Sequence, residues 1–271
     1  MTTAPSLILH ADDFGETVEI TAGICQAIEA GVVSSTSIMA NMPGTEDALH
    51  RAPRLEDRAS FGVHLNLCEG RPLTKAASLV DERGNFHAKR ALFLRAVRGS
   101  LSLADLETEI TAQIARIHEG RIRISHVDGH KHLHQLPVVR QAVARVLPRF
   151  GIERVRVTRL TRLAGAKPAT LMREALAWQA TRTFRRARLR SPARVMDLQA
   201  VMQPVQSGNT SFTRWAPEGP IEVFCHPGTR QADIEKPGSC RRFDELTYLL
   251  SPRFQELLSA NGARMVSYWD I

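Results

Sequence analysis

Apolar and polar positions alternate along this chain in blocks whose lengths predict repeated strand-helix units. The run Ser6 to Leu9 is apolar and uncharged, the length of one buried strand, and it leads into His10-Ala11-Asp12-Asp13-Phe14-Gly15. Thr17 is placed to cap a helix through about Ala30, with Ile20, Ile24, Ala27 and Ile28 on one face and Gly31 at its end. Further strands are expected over Val32 to Ala40, Ser60 to Leu67, Ile122 to Val127, Val155 to Val157, Ile221 to Phe224 and Arg264 to Ser267. Helices are expected over Gly44 to Ala52, Arg90 to Val97, Leu103 to His118, Pro137 to Leu147 and Asp244 to Ala260. Cys68 to Lys89, rich in Gly, Pro and charge, reads as a loop long enough to wall a substrate cleft. Such units in series predict an α/β fold with a parallel sheet, most simply a closed or partly closed barrel. The 271 residues suit one barrel domain spanning the whole chain.

Composition narrows the class. With 43% hydrophobic and 24% charged residues the chain is neither disordered nor fibrous. Its four cysteines show no CxxC spacing, and no leader segment or run of about 18 apolar residues stands out, so a cytoplasmic protein is expected. The net charge of +8 suggests nucleic acid until its location is considered. Ten Lys or Arg lie between Thr158 and Arg194 against Glu174 alone, a local excess that exceeds the charge of the entire chain. The basicity therefore belongs to one stretch, an expected helical insert over about 158–200, in which Leu171, Met172, Ala175, Leu176 and Trp178 fit one helix face. A solvated helix, an anionic membrane surface and an acidic substrate all suit it, whereas no RNA-binding aromatic signature supports nucleic acid.

The chemistry lies at the expected strand ends, which converge on one mouth in a barrel. Asp13, His64, the cluster His126 to His134 and His226 all fall there, and four of the ten histidines sit within that nine-residue cluster. Two adjacent acids after a strand often only cap a helix, but beside histidines they suggest that one holds a metal while the other moves a proton. One carboxylate and two imidazoles suit a divalent ion with open positions, and the inferred ligands are Asp13, His64 and His130. His126 precedes His130 by four residues and is an alternative or additional ligand.

Ala11-Asp12-Asp13-Phe14-Gly15, Gly62-Val63-His64-Leu65-Asn66-Leu67 with Glu69-Gly70-Arg71-Pro72-Leu73, Ser125 to His134, and Cys225-His226-Pro227-Gly228 occur in that order. Together they resemble the YdjC-like carbohydrate deacetylases, which include chitooligosaccharide deacetylases and a branch linked to hopanoid glycolipid maturation. The resemblance implies a distorted (β/α) TIM-like barrel akin to the NodB-type deacetylases, and removal of acetyl from an N-acetylated amino sugar in an oligosaccharide or glycolipid headgroup. Carried over residue by residue, it makes Asp13, His64 and His130 the metal ligands, Asp12 the catalytic base and His226 the proton donor. Ligand type favours Zn²⁺, Mn²⁺ or Co²⁺ while the resemblance adds Mg²⁺, and a homodimer is common among look-alikes.

Other residues take secondary expectations. Asp128 and His126 are candidates to orient a ligand histidine from behind. Asn66, Arg71 and His132 are candidate substrate contacts, His134 a residue of the lip, and Phe14, Trp215, Tyr248 and Trp269 candidates to stack on a sugar. Cys225 reads as a buried strand residue, not a nucleophile. Two other readings compete: a metal-dependent phosphoesterase, and a non-catalytic protein whose basic stretch docks on a membrane or nucleic acid.

Overall fold

The computed structural model describes residues 4–159, 168–202, 219–235 and 241–271. Trp215 and Cys240, with Arg162 and Lys167 of the basic run, lie outside the described residues. Strands and helices alternate: β1 (Ser6–Phe14), α1 (Val18–Glu29), β2 (Ser35–Ile38), α2 (Thr45–Arg51), β3 (Ser60–Leu65), α3 (Lys89–Val97), α4 (Leu103–Glu119), β4 (Ile124–Gly129) and α5 (Val139–Val146). The second half carries α6 (Pro168–Arg186), β5 (Arg194–Asp197), α7 (Leu198–Met202), β6 (Ile221–Cys225), α8 (Arg230–Glu235), α9 (Arg242–Leu249), α10 (Pro252–Ala260) and β7 (Arg264–Met265). Among the described residues no helix is long and apolar enough to cross a membrane.

The strand order is β4-β3-β2-β1-β6-β5, every pair parallel, with β7 joining the start of β1. Single bridges bring the two edges together. Val127 of β4 exchanges backbone hydrogen bonds with Arg154 and Arg156, at 3.0 Å each, while Val155 donates to Arg190 O at 2.9 Å. Arg190 leads directly into β5, so the parallel sheet curls into a distorted barrel, as the strand-helix alternation predicts.

Several boundaries differ from the pattern's expectation, for local reasons. β1 runs through both acids to Phe14, because Leu7 to Ala11 pair with β6 on one side and His10 to Phe14 with β2 on the other. The helix expected over Asp244 to Ala260 is two, since Pro252 cannot continue one and serves α10 as a first-turn residue. Val155 to Val157 makes isolated bridges in place of a full strand. The basic stretch holds α6 as expected but also supplies β5, woven into the sheet beside β6. Thr17 caps α1 as read, its hydroxyl accepting from Ile20 N at 3.2 Å, and Gly31 follows in the left-handed region at φ 71°.

Hydrophobic packing lies outside the barrel and polar packing inside. Ile20, Ile24 and Ile28 of α1, and Leu106, Ile110, Ile114 and Ile117 of α4, recur at helical spacing and are fully buried against the sheet. Each such side chain contributes about 1.5–3 kcal/mol of transfer free energy. Facing inward are His10, Asp12, Ser35, Ser37, His64, His126, Asp128 and Glu222, all buried, and alternate strand positions supply them. Tyr268, in the turn after β7, enters this interior, its amide donating to Ser60 Oγ at 3.2 Å and its hydroxyl to Glu222 at 2.6 Å.

Gly23 of α1 abuts the loop after β6: a Cβ there would fall 2.6 Å from Gly228 C and 2.8 Å from Thr229 N. A mid-helix Gly→Ala change usually stabilises, but here it collides with backbone. Gly23→Ala is therefore expected to cost about 1–3 kcal/mol in urea unfolding.

Candidate active site

The two acids share one interior because β1 breaks its own alternation. Asp13 sits at φ 70°, and the register with β2 slips between Ala11 and Phe14. Adjacent residues on an unbroken strand would face opposite sides. The irregularity lets both carboxylates turn inward; its strain falls on Asp13 itself, while Gly15 at φ 91° takes a conformation that glycine adopts freely.

Asp13 collects the histidines of two other strands. Its Oδ1 lies 3.2 Å from His64 Nε2, at the end of β3, and 3.0 Å from His130 Nδ1, just past β4. These ligand atoms all lie within 4.8 Å of one another. The far side of the His64 ring is fixed: Nδ1 is 2.9 Å from Asp128 Oδ1 and 3.0 Å from the Ser37 hydroxyl. Burial works against charge on His64, but the carboxylates of Asp128, Asp13 and Asp12 outweigh it and lift the pKa to about 10. His130 is raised for the same balance of reasons, and Asp13 is held well below the carboxylate range although burial alone would raise it. Two ring nitrogens and a carboxylate oxygen drawn to one point, with one ring braced by a buried carboxylate, are a donor set that fits a divalent transition ion.

Asp12 belongs to a second constellation, centred on a residue no motif marked. Arg156 is fully buried and grips Asp12 with both terminal nitrogens, at 2.9 and 2.7 Å. Its Nη1 also lies 3.0 Å from Asp128 Oδ2, and its Nε donates to Glu222 at 2.7 Å. His10 Nε2 stands 3.3 Å from Asp12 and 3.4 Å from Asp128. Burial would raise the Asp12 pKa, but the Arg156 guanidinium and the ring of His64 prevail and bring it to about 2. Asp128 therefore touches both constellations, bracing His64 with one oxygen and Arg156 with the other.

One helix holds the remaining pieces. Arg242, the first residue of α9, donates to Asp13 Oδ2 at 2.7 Å and to Glu16 at 2.8 Å, which leaves Asp13 Oδ1 to the histidines. Glu245, one turn on, accepts the backbone N–H of His226 at 2.6 Å and the Gln199 amide at 3.1 Å. His226 is partly exposed, with Nε2 3.9 Å from Asp12 Oδ2. On the loop after β3, Glu69 reaches His130 Nε2 at 3.1 Å and pairs with Lys131.

Several expected positions take other places. Asn66 is buried and its side chain is spent on the loop: Nδ2 donates to Asn41 and Glu69 O, while Oδ1 accepts from Cys68 N and Glu69 N, so no hydrogen-bonding capacity is left for a ligand. Arg71 is exposed, touching Arg83 O at 3.4 Å. His132 sits at φ 59° directly after Lys131 at φ 53°, its ring edge-on to Phe224. His134 is not at a lip: it is buried, bonded to Arg156 O at 2.9 Å, and burial drops its pKa to about 4. His126 lies inside the barrel, stacked on Tyr268 at 3.6 Å and grouped with His10 and Asp128 in place of Asp13. Phe14 packs in the core against Phe61, Tyr248 against Phe254, and Trp269 under the guanidiniums of Arg123 and Arg154. Cys225 is fully buried, and burial pushes its thiol well above the ordinary range, which suits the strand role read for it.

Sequence reasoning missed His10, Ser37, Arg156, Glu222, Arg242 and Glu245. Removing Arg156 tests the electrostatics. In the intact protein Asp12 has a folded pKa near 2, below its unfolded value of about 3.9, so its stabilising share is present above pH ~4 and is lost as the pH falls toward 2. Arg156→Leu is expected to cost about 3–5 kcal/mol at pH 7, because buried carboxylates lose their counter-charge. Those acids would then take up protons on folding, so the deficit narrows as pH falls; urea unfolding at pH 7 and near pH 5 measures it.

The family model for YdjC-like proteins matches residues 6–260. Over 158 residues the chain is 37% identical to a carbohydrate deacetylase of Geobacillus stearothermophilus, an alignment covering 58% of this chain and 62% of that protein. The chain thus spans less than two thirds of that relative's length. It is 30% identical over 270 residues to a chitooligosaccharide deacetylase of Yersinia enterocolitica, covering 97% of this chain and 98% of the relative. A crystal structure from Enterococcus faecalis, described as a candidate cellobiose-phosphate cleavage protein, matches with a TM-score of 0.75 at 22% identity over 99% of both chains, which shows a common fold. By the extent of the family match, the chain belongs to the YdjC-like family.

Proposed function

We propose that this protein hydrolyses the acetamide of an N-acetylated amino sugar, an oligosaccharide or a glycolipid headgroup, with one divalent ion held by Asp13, His64 and His130. The observation that carries the reading is the gathering of these three side chains beside a buried acid, Asp12, and a partly exposed imidazole, His226, in a chain whose relatives are named deacetylases.

An ion bound there would polarise the acetyl carbonyl and make water a stronger acid, supplying what amide hydrolysis lacks at neutral pH. Asp12 stays ionised at any working pH because Arg156 holds its pKa near 2, and the bidentate grip fixes its direction. A carboxylate so acidic keeps a proton only briefly. His226, 3.9 Å from Asp12 Oδ2, is the group that carries the proton onward to the departing sugar nitrogen. Glu245 fixes the backbone of His226. Arg242 holds one oxygen of Asp13, so the other faces the histidines.

Mass spectrometry of N-acetylated glycans and glycolipids incubated with protein loaded with Zn²⁺, Mn²⁺, Co²⁺ or Mg²⁺ should show loss of one acetyl group and release of acetate. Phosphate release with two ions per chain would instead favour a phosphoesterase. Asp13→Ala and His64→Ala are expected to lose the metal by elemental analysis. Asp12→Asn should retain it and lose turnover, and His226→Ala should retain it and lose about 10²–10⁴-fold in kcat. A fully active Asp12→Asn protein would overturn the base assignment.

A further inference from the structure

Helix α6 presents its apolar residues the wrong way round for a core helix. Its buried stripe is Ala177, Ala180 and Phe184, whereas Leu171 is 49% exposed, Met172 50% and Trp178 54%. Leu171, Ala175, Trp178 and Arg182 follow one another at three- and four-residue spacing, and Arg185 and Arg186 lie three and four residues beyond Arg182, so they form one outward stripe, apolar in its first half and basic in its second. Arg182 lies over the Trp178 ring at 4.9 Å and joins the two halves. Beside the basic half is a cleft of about 690 Å³ whose wall includes Arg159, Arg185 and Arg190. Beyond the Arg182 contact, a tryptophan and a leucine aligned on the outermost line make an apolar patch of the kind that marks an interaction surface.

We infer that this stripe of α6 is a docking surface for an anionic lipid bilayer. A tryptophan with a leucine on the same line suits the boundary between headgroups and acyl chains, and arginines along that line suit acidic headgroups. A second copy of the chain would set like charge against like charge and forgo that gain. The helix packs on the turn His130–Gln135, so a bilayer seated on it would stand alongside the barrel mouth. The inference goes beyond the hydrolytic reading, and its test reads binding without turnover, so the two stand or fall separately.

The full chain should co-sediment with vesicles containing phosphatidylglycerol and not with pure phosphatidylcholine, less so as salt is raised. Replacing Arg182, Arg185 and Arg186 by Gln should weaken partition roughly fivefold each and about a hundredfold together. Leu171→Ser with Trp178→Ser should weaken it on the order of tenfold or more. Circular dichroism melts confirm that the variants are folded, and Arg241→Gln, elsewhere on the surface, should bind as the parent does. Failure of the parent to bind acidic vesicles overturns the inference. So does binding indifferent to the Leu171 and Trp178 changes, or a preference for duplex DNA over acidic vesicles.

Discussion

A guanidinium sealed inside a barrel is the constraint on which the rest of this structure depends. Arg156 meets Asp12, Asp128 and Glu222, three carboxylates from three strands, in the buried interior of the barrel. Burial alone would push Asp12 and Asp128 toward their neutral form, and without its carboxylates the guanidinium would be a costly unpaired charge. The arrangement ties β1, β4 and β6 to the segment that closes the sheet. It also leaves the interior short of positive charge: five buried carboxylates, Asp12, Asp13, Glu16, Asp128 and Glu222, face the guanidiniums of Arg156 and Arg242. The imidazoles of His64 and His130 lie where that shortage is felt, and a divalent cation would relieve it.

The two constellations are mechanically joined as well as adjacent. Asp128 touches both, through His64 and through Arg156, and α9 holds Asp13 through Arg242 and, through Glu245, the backbone of His226, whose ring stands 3.9 Å from Asp12. A helix that starts on one functional group and reaches the next a turn later sets their separation by its own geometry, 1.5 Å of rise per residue. The placement of Asp13 relative to the His226 backbone thus rests on a regular helix.

What the sequence made legible were features with a local signature. Thr17 before a helical pattern, the acid pair closing an apolar run, and histidines at strand ends all declare themselves through neighbours. Arg156 and Arg242 do not. Each is one of 36 basic residues, and nothing nearby in sequence separates a buried arginine from the exposed ones of α6. Their burial is decided by carboxylates on other elements, among them Asp12, 144 positions from Arg156, and Asp13, 229 positions from Arg242. His126 stays open in the sequence for a related reason: four residues before His130 is ligand spacing on a helix while the run Ile122 to Ser125 reads as strand, and in the extended β4 the ring enters the barrel, where Gly62 leaves room for it. The apolar face of α6 was visible as a face, while its direction was not, because amphipathic periodicity says nothing about which side meets the core when both carry apolar residues.

The sheet is not sewn shut with equal strength all round. Between β4 and β5 the ring is completed by a few backbone hydrogen bonds through Val127, Val155 and Arg190, where other neighbours share full ladders. Amide exchange by local opening should begin along this stitch and spread from it, long before the ladders of β1, β2 and β3 are breached. Because Arg156 sits on the thin side, the residue holding most charge together hangs from the part of the cylinder with the least backbone support, and its carboxylate partners act as the clasp.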